Sequence, residues 1–299
     1  MTIKHASINR PDDVRELKAR GPRPPREVEL RKLVPNLLTA AALCAGIAAI
    51  YFATKYQPGG GSAPIMRAVA LIGLAFVLDG LDGRLARLLR ATSRFGERFD
   101  SISDFVCFGL APAFILFRWA LQDAQGIGTE LGFAVVVVYA LCAAIRLARF
   151  ARQAGRKPAG APVSKFFQGL PAPAAAFVVL TPLLVFLSPT VSGALARRGL
   201  SMPMDVLEWV VLGHTALVAG LMVSTIPMIS VKHVRVSRTI LVPLMVGIAV
   251  IAFFLVLDAW LTLAVLATLY LLSLPLAVAR SRRQTGLEAS APASTPGNP

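Results

Sequence analysis

FVLDGLDGRLARLLRATSRFGERFDSISDF, residues 76–105, holds four aspartates in two pairs at the ends of apolar stretches. Asp79 and Asp82 stand three residues apart, and Asp100 and Asp104 stand four apart. Both spacings put their members on one face of a helix. The short link around Ser93 and Gly96 lets the two helices run antiparallel, so the two faces can meet and four carboxylates can share one small volume. Carboxylates at membrane depth are rare, and like charges in one site either raise one another's pKa values or require cations. With oxygen donors only and no Cys or His in the stretch, the set favours a hard divalent ion, magnesium or manganese, over zinc. Two ions bridged by carboxylates would neutralise four negative charges and leave positive field for a phosphate; the spacing leaves the ion count open. Gly80 and Gly83 flank Asp82 although glycine costs about 1 kcal/mol relative to alanine inside a helix, which suggests close approach by a bulky ligand. Ala86 continues the small face, and Arg84 and Arg87 offer planar guanidinium forks for phosphate oxygens.

The rest of the chain sets those helices in a membrane. Of its 299 residues, 56% are apolar and 16% charged, and mean hydropathy is +0.65, too little charge for a soluble surface. A soluble enzyme, a nucleic-acid-binding domain and a disordered chain are thereby excluded, and the formal net charge of +15 points to an anionic leaflet instead. Apolar blocks predict eight spans, at about 36–54, 67–89, 101–119, 131–149, 171–188, 206–226, 239–257 and 260–279, the last two forming a hairpin around Asp258. With the N-terminus in the cytoplasm, alternation places 26 of the 31 Lys and Arg residues on that side. Only Lys55, Arg67, Arg118, Arg197 and Arg198 fall on the other, as the positive-inside rule requires. The expected fold class is therefore an all-α polytopic membrane protein of about eight helices with both termini cytoplasmic. Residues 1–33 read as a basic cytoplasmic tail, 233–283 as a transmembrane hairpin and 284–299, rich in Ala, Ser, Pro and Gly, as a disordered tail.

Other side chains carry less chemistry. Cys44, Cys107 and Cys142 lack CxxC spacing and read as buried small hydrophobes. His214, inside an apolar span, reads as a packed, hydrogen-bonded residue. Trp119, Trp209 and Trp260 lie near span ends, as interfacial anchors do. A transporter is the remote alternative, since acids in spans also line ion pathways, but transporters place them near the midplane and these gather at one end.

The stretch resembles the CDP-alcohol phosphatidyltransferases, whose signature D-G-x2-A-R-x8-G-x3-D-x3-D is met in full by Asp82, Gly83, Ala86, Arg87, Gly96, Asp100 and Asp104, with Asp79 as the additional upstream aspartate. The resemblance implies a six-helix catalytic membrane core, here 34–232, and transfer of a phosphatidyl group from a CDP-linked lipid to an alcohol with release of CMP. It implies metal ligation by Asp79, Asp82, Asp100 and Asp104, with Asp104 also the catalytic base. It further implies contact of Gly83, Ala86, Arg87 and Gly96 with the CDP-lipid, and a homodimer.

Within that family the chain is similar to bacterial integral-membrane enzymes that use serine. VPNLLTAAALCAG (34–46), RFGERFDSISDFVCFGLAPA (94–113), IRLARF (145–150), FFQGLPAPAAA (166–176) and LMVSTIPMISVK (221–232) carry that likeness. It implies that CDP-diacylglycerol and L-serine give phosphatidylserine and CMP at the bacterial inner membrane, the site facing the cytoplasm. Glycerol phosphate, inositol or its phosphate, and choline are the alternative acceptors. A serine carboxylate calls for a cation: Arg146 and Arg149, near the inner end of the fourth span, then Lys165 and Lys232, are the acceptor-binding candidates. No Ser–His or Cys–His pair offers a nucleophile, so the chemistry reads as direct in-line displacement. GLPAPAAA (169–176) reads as close helix packing or as a groove for acyl chains.

Overall fold

Alanines along AAALCAGIAAIYFAT bring the first two helices together. The computed structural model describes residues 30–89, 91, 93–123, 128–154, 166–200, 203–224, 227–229 and 238–290. In it, α1 (Leu30–Thr54) packs on α2 (Ala63–Leu88) more extensively than any other described pair of elements. Ala42, Ala45, Ala49 and Ala53 recur every three or four residues and are all buried, in one cluster with Ile65, Ala68, Ile72 and Ala75 of α2. Small side chains let helix backbones approach closely, which is how helices associate in lipid.

After a reversal at Ser93, α3 (Arg94–Asp104) runs on through a π-helical segment (Phe105–Leu110), α4 (Ala111–Leu116) and a second π-helical segment (Phe117–Leu121). There follow α5 (Thr129–Ala154), α6 (Ala172–Val179), α7 (Thr181–Leu187), α8 (Pro189–Arg197), α9 (Met204–Val223), α10 (Arg238–Leu257) and α11 (Ala259–Ser290). The described residues are all-α apart from two three-residue strands, β1 (Phe166–Gln168) and β2 (Pro227–Ile229), paired antiparallel with Phe167 opposite Met228. At Gly169, just past β1, φ is +78°, and a Cβ would stand 2.7 Å from the Met222 carbonyl oxygen. Only glycine fits this turn into α6, whose Ala172, Ala175 and Ala176 are buried, so this stretch packs helices closely.

Five helices are long and apolar enough to cross a membrane: Leu33–Thr54, Ala63–Leu88, Phe95–Leu121, Thr129–Arg152 and Asp205–Val223. The architecture is a multi-pass helical membrane protein, with five such helices among the described residues rather than the expected eight. The expected span 171–188 is broken at Leu180 into α6 and α7, because Pro182 cannot donate to the carbonyl of Val178. The apolar parts of the last two are shorter, Leu241–Leu257 and Ala259–Pro275. Three smaller expectations also change. Trp119 is buried rather than interfacial, Cys44 is exposed, and α11 continues to Ser290, so 284–290 are helical rather than disordered. Residues 1–29 and 291–299 of the two tails lie outside the described residues.

Carbonyls stranded by proline receive partners from neighbouring helices. Pro112 leaves the Phe108 carbonyl without its i+4 donor, and the buried Tyr139 hydroxyl of α5 donates to it at 3.0 Å. Pro182 does the same to Val178, and His214 Nε2 of α9 meets that carbonyl at 2.7 Å. Arg118 likewise donates to the carbonyls of Ala53 and Tyr56 at the end of α1.

The C-terminal hairpin is pinned by one carboxylate. Asp258, 8% exposed, caps α11 by accepting from Leu261 N–H at 3.0 Å, and accepts from the Ser188 hydroxyl at 2.5 Å and Thr190 N–H at 3.3 Å. Ser188 itself caps α8 through Val191 N–H, so the positive ends of two helices converge on one acid. Burial raises the Asp258 pKa, but the donors from Leu261, Ser188 and Thr190 outweigh it and hold the carboxyl below the ordinary range. Stability from a carboxyl so lowered is present above its unfolded value, near about pH 4, and is lost as pH falls through the lowered value. Asp258→Ala is therefore expected to cost roughly 2 kcal/mol at neutral pH, from the lost cap and charge-assisted bonds. In thermal unfolding the gap between the two proteins should narrow below about pH 4; equal stabilities at pH 7 would refute the role.

Candidate active site

The reversal between α2 and α3 begins at an N-cap. Ser93, in extended backbone, accepts from Gly96 N–H at 3.0 Å and starts α3. The helix then runs back along α2, so the last turns of one face the first turns of the other. Asp79, Asp82 and Asp100 each direct a carboxylate oxygen to a common point, and the three oxygens lie within 4.8 Å of one another. Asp104, one turn on from Asp100, has its carboxyl in hydrogen-bonding contact with that of Asp79. Two carboxyl groups in such contact must share a proton or a cation. The other Asp104 oxygen, Oδ1, is buried and has no hydrogen-bond partner among the described residues. The four expected metal-ligand aspartates thus come together, three as a tight trio and the fourth beside it.

This trio fits a hard divalent ion. Oxygen ligands of a magnesium ion at about 2.1 Å stand about 3.0 Å apart when adjacent and about 4.2 Å when opposite, so three carboxylate oxygens already within 4.8 Å of one another can close on one ion by side-chain movement. The like charges are otherwise poorly compensated: the nearby cation is Arg146 of α5, which interacts electrostatically with Asp104. Its Nε is buried without a hydrogen-bond partner among the described residues.

Beside the trio lies a cavity of about 180 Å³ whose walls include Asp82, Asp100, Gly83, Ala86, Arg87 and Gly96. The four motif residues expected to meet the CDP-lipid therefore border one space with two of the carboxylates. The two glycines do different things. A Cβ at Gly83 would meet no described atom within 4 Å beyond its chain neighbours and its own helix backbone, whereas one at Gly96 would stand 2.9 Å from Asn36 Oδ1 and 3.1 Å from Ser93 Oγ. Packing alone requires Gly96; Gly83 opens room in the cavity.

The expected acceptor cations separate. Arg146 lies next to the acidic group, while Arg149, one turn on, is exposed and donates to the Val223 carbonyl at 2.8 Å, closing the end of α9. Lys165 and Lys232 lie outside the described residues.

Sequence reasoning missed the polar seam of α1. Thr39, buried, donates to Asp82 Oδ2 at 2.6 Å; Ser103 donates to the Thr39 carbonyl at 3.3 Å; and Cys107 Sγ donates to the Ala42 carbonyl at 3.2 Å. Gly46 sits against Cys107, where a Cβ would come within 2.7 Å of Sγ. Asn36, Thr39 and Gly46 lie three and seven residues apart, on one helical face. That spacing, in a span made mostly of aliphatic residues, was the available signal.

The CDP-alcohol phosphatidyltransferase model matches residues 32–221, and a second model, CDP-alcohol phosphatidyltransferase 2, matches 239–275 in the hairpin. A Mycobacterium bovis protein named CDP-diacylglycerol–serine O-phosphatidyltransferase is 36% identical over 264 residues, covering 88% of this chain and 83% of its own. Proteins of the same name from Mycobacterium leprae and Helicobacter pylori are 42% and 38% identical over 159 and 153 residues, about half of this chain (53% and 51%). The match spans about half the length of those two relatives, 49% and 58%. The chain belongs to the CDP-alcohol phosphatidyltransferase family.

Proposed function

We propose that this protein transfers the phosphatidyl group of CDP-diacylglycerol to L-serine, giving phosphatidylserine and CMP. The observation that carries the reading is the trio Asp79, Asp82 and Asp100 bordering a cavity shared with Gly83, Ala86, Arg87 and Gly96. Family membership supplies the reaction class, and relatives named for the serine reaction in mycobacteria, Helicobacter, Methanocaldococcus jannaschii and Saccharomyces cerevisiae support the acceptor.

Each residue has a role in this reading. Gly83 and Ala86 leave space for the cytidine, Gly96 holds the α2–α3 reversal that forms its wall, and Arg87 pairs with the diphosphate. Asp79, Asp82 and Asp100, with Asp104 completing the set, hold divalent metal, two ions of magnesium or manganese. Bound there, the metal supplies Lewis-acid polarisation of the phosphoryl oxygens and charge neutralisation for the departing CMP. Thr39 fixes the Asp82 carboxylate so that its other oxygen faces the site. Arg146 receives the serine carboxylate, with Lys165 and Lys232 as further cations for the acceptor; Arg149, occupied at the end of α9, orients that wall instead. The serine hydroxyl oxygen bonds to the phosphorus that carries the diacylglycerol, the bridging P–O bond to CMP breaks, and the hydroxyl proton passes to Asp104 Oδ1. Cys107, the closest thiol, donates to a backbone carbonyl, which leaves displacement direct rather than through a covalent enzyme intermediate.

The membrane arrangement follows from the charge distribution. We place the carboxylate end of α2 and α3 at the cytoplasmic face of a bacterial inner membrane, where serine and CMP exchange with water while the acyl chains stay in lipid. Together α6 and α7 make one crossing and the hairpin two, for eight in all, with a six-helix core over 34–232 and both termini cytoplasmic. The working form is a homodimer.

The direct test is CMP release and phosphatidylserine formation from CDP-diacylglycerol and serine with Mg²⁺ or Mn²⁺. Activity should vanish on chelation and return with either ion, and turnover with another alcohol but not serine would reassign the acceptor. Asp100→Asn should lower kcat at least about 10³-fold with the fold unchanged by circular dichroism, on the scale of lost electrostatic stabilisation. Near-normal turnover would remove Asp100 from the site. The glycines should separate: Gly83→Ala keeps or slightly raises stability and raises KM for the CDP-lipid, whereas Gly96→Ala costs roughly 1 kcal/mol or more in thermal unfolding. Identical behaviour of the two variants would contradict their different surroundings.

A further inference from the structure

Helix α11, in the C-terminal hairpin, begins on the far side of the bundle from the carboxylates. Its Trp260 borders one cavity with Ser62, and Ser62 stands 17 residues before Asp79 at the start of α2, about 25 Å away at 1.5 Å per residue. Docked there by the bond from Ser188 to Asp258, α11 packs on α7, α6 and β2. One of its faces is turned inward: Ala264, Ala267 and Leu274 are buried. Tyr270, three residues after Ala267 and four before Leu274, shares that face and packs against the same core. It stands 12 residues from Asp258, about 18 Å along the helix.

The inward face of α11 meets the inner end of α5. Arg149 of α5 donates to the Val223 carbonyl at 2.8 Å, β2 begins four residues after Val223, and β2 lies against α11. Arg146, one turn before Arg149, interacts electrostatically with Tyr270 as well as with Asp104 and Tyr139. The Tyr139 hydroxyl donates to the Phe108 carbonyl, and Asp104 stands with the acidic group. Tyr270 comes to this cluster from outside residues 34–232, on a helix that carries none of the aspartate motif. Meanwhile Arg146 Nε is buried with no hydrogen-bond partner among the described residues. An unmet buried donor carries a desolvation cost that a bound carboxylate would remove. A guanidinium takes a carboxylate through two parallel N–H groups, so the plane of the fork has to be held.

We propose that Tyr270 is a positioning residue of the acceptor subsite: its phenol oxygen holds the Arg146 guanidinium from the hairpin side and leaves the Nε edge for the carboxylate of the incoming amino acid. The inference rests on the assignment of Arg146 to the serine carboxylate and deepens it. It makes α11 the wall that completes the acceptor side, and it ties the choice of acceptor to the docked hairpin. The acceptor class so favoured is an amino acid with a free α-carboxylate; an alcohol without one gains nothing from Tyr270.

Initial rates of CMP release by the full-length enzyme, with serine and CDP-diacylglycerol varied in turn, test this. Tyr270→Phe keeps the ring and removes the hydroxyl. It should raise KM for serine about tenfold, the lower range for a hydrogen bond to a charged group. The kcat and the KM for CDP-diacylglycerol should stay within about twofold, the signature of lost acceptor binding. Arg146→Ala should raise the serine KM by itself, and adding Tyr270→Phe to it should change that value less than about twofold, because a residue that acts through Arg146 then has nothing to act on. A serine KM unmoved by Tyr270→Phe, additive effects in the double variant, equal rises in both KM values, or a fall in kcat alone would each overturn the assignment while serine turnover stands. Turnover of the unsubstituted enzyme with another alcohol but not with serine would instead refute the serine reading, and this inference with it.

Discussion

Lipid offers no hydrogen bonds, so every polar group the chain carries into it must find its partner within the protein. Much of this architecture answers that constraint. Pro112 and Pro182 each strand a carbonyl, and Tyr139 and His214 reach across from other helices to claim them. Arg118 and Arg149 close the ends of α1 and α9 in the same way. Each such bond fixes one helix against another at a set height, which nonspecific apolar contact cannot do. The four aspartates of the candidate site stand apart, since among the described residues Thr39 and Arg146 offset their like charges only in part. That imbalance is what suits the site to cations and phosphate.

The acid group stands on α2 and α3, but its geometry is held from α1. Thr39 and Ser103 form a chain from the α1 backbone to Asp82 and to α3, while the alanine seam lets α1 lie close enough on α2 for those bonds to form. A larger residue at Ala42 or Ala45 would push α1 outward and break the link to Asp82 without touching the acidic motif itself. The geometry of the candidate site is therefore partly a property of an apolar interface.

What could be read from the sequence follows this division. The aspartate spacing announced its own convergence, because residues three and four apart on a helix share a face whatever surrounds them. The glycines announced that space mattered, but not that Gly96 answers to Asn36 while Gly83 answers to the cavity; that distinction depends on a neighbour sixty residues away in sequence. Thr39 was hidden because a lone hydroxyl in an apolar helix usually bonds its own backbone, and only the partner helix gives it Asp82. Hydropathy located the apolar segments well but could not report their continuity, so the span through Pro182 arrives broken. Arg146 and Arg149, alike in sequence, part company because one turn of helix separates a position beside Asp104 from one at the end of α9.

The acid shared by the two helix starts has a consequence for the order of biosynthesis. Ser188 and Asp258 lie seventy residues apart, so at about 5–20 residues per second the ribosome needs several seconds to supply the second partner after the first. Through that interval the start of α8 has no carboxylate to receive it, and the wall that α11 completes stands open. Closure of the far side of the bundle is thus a late event in translation, set by when the chain yields residue 258.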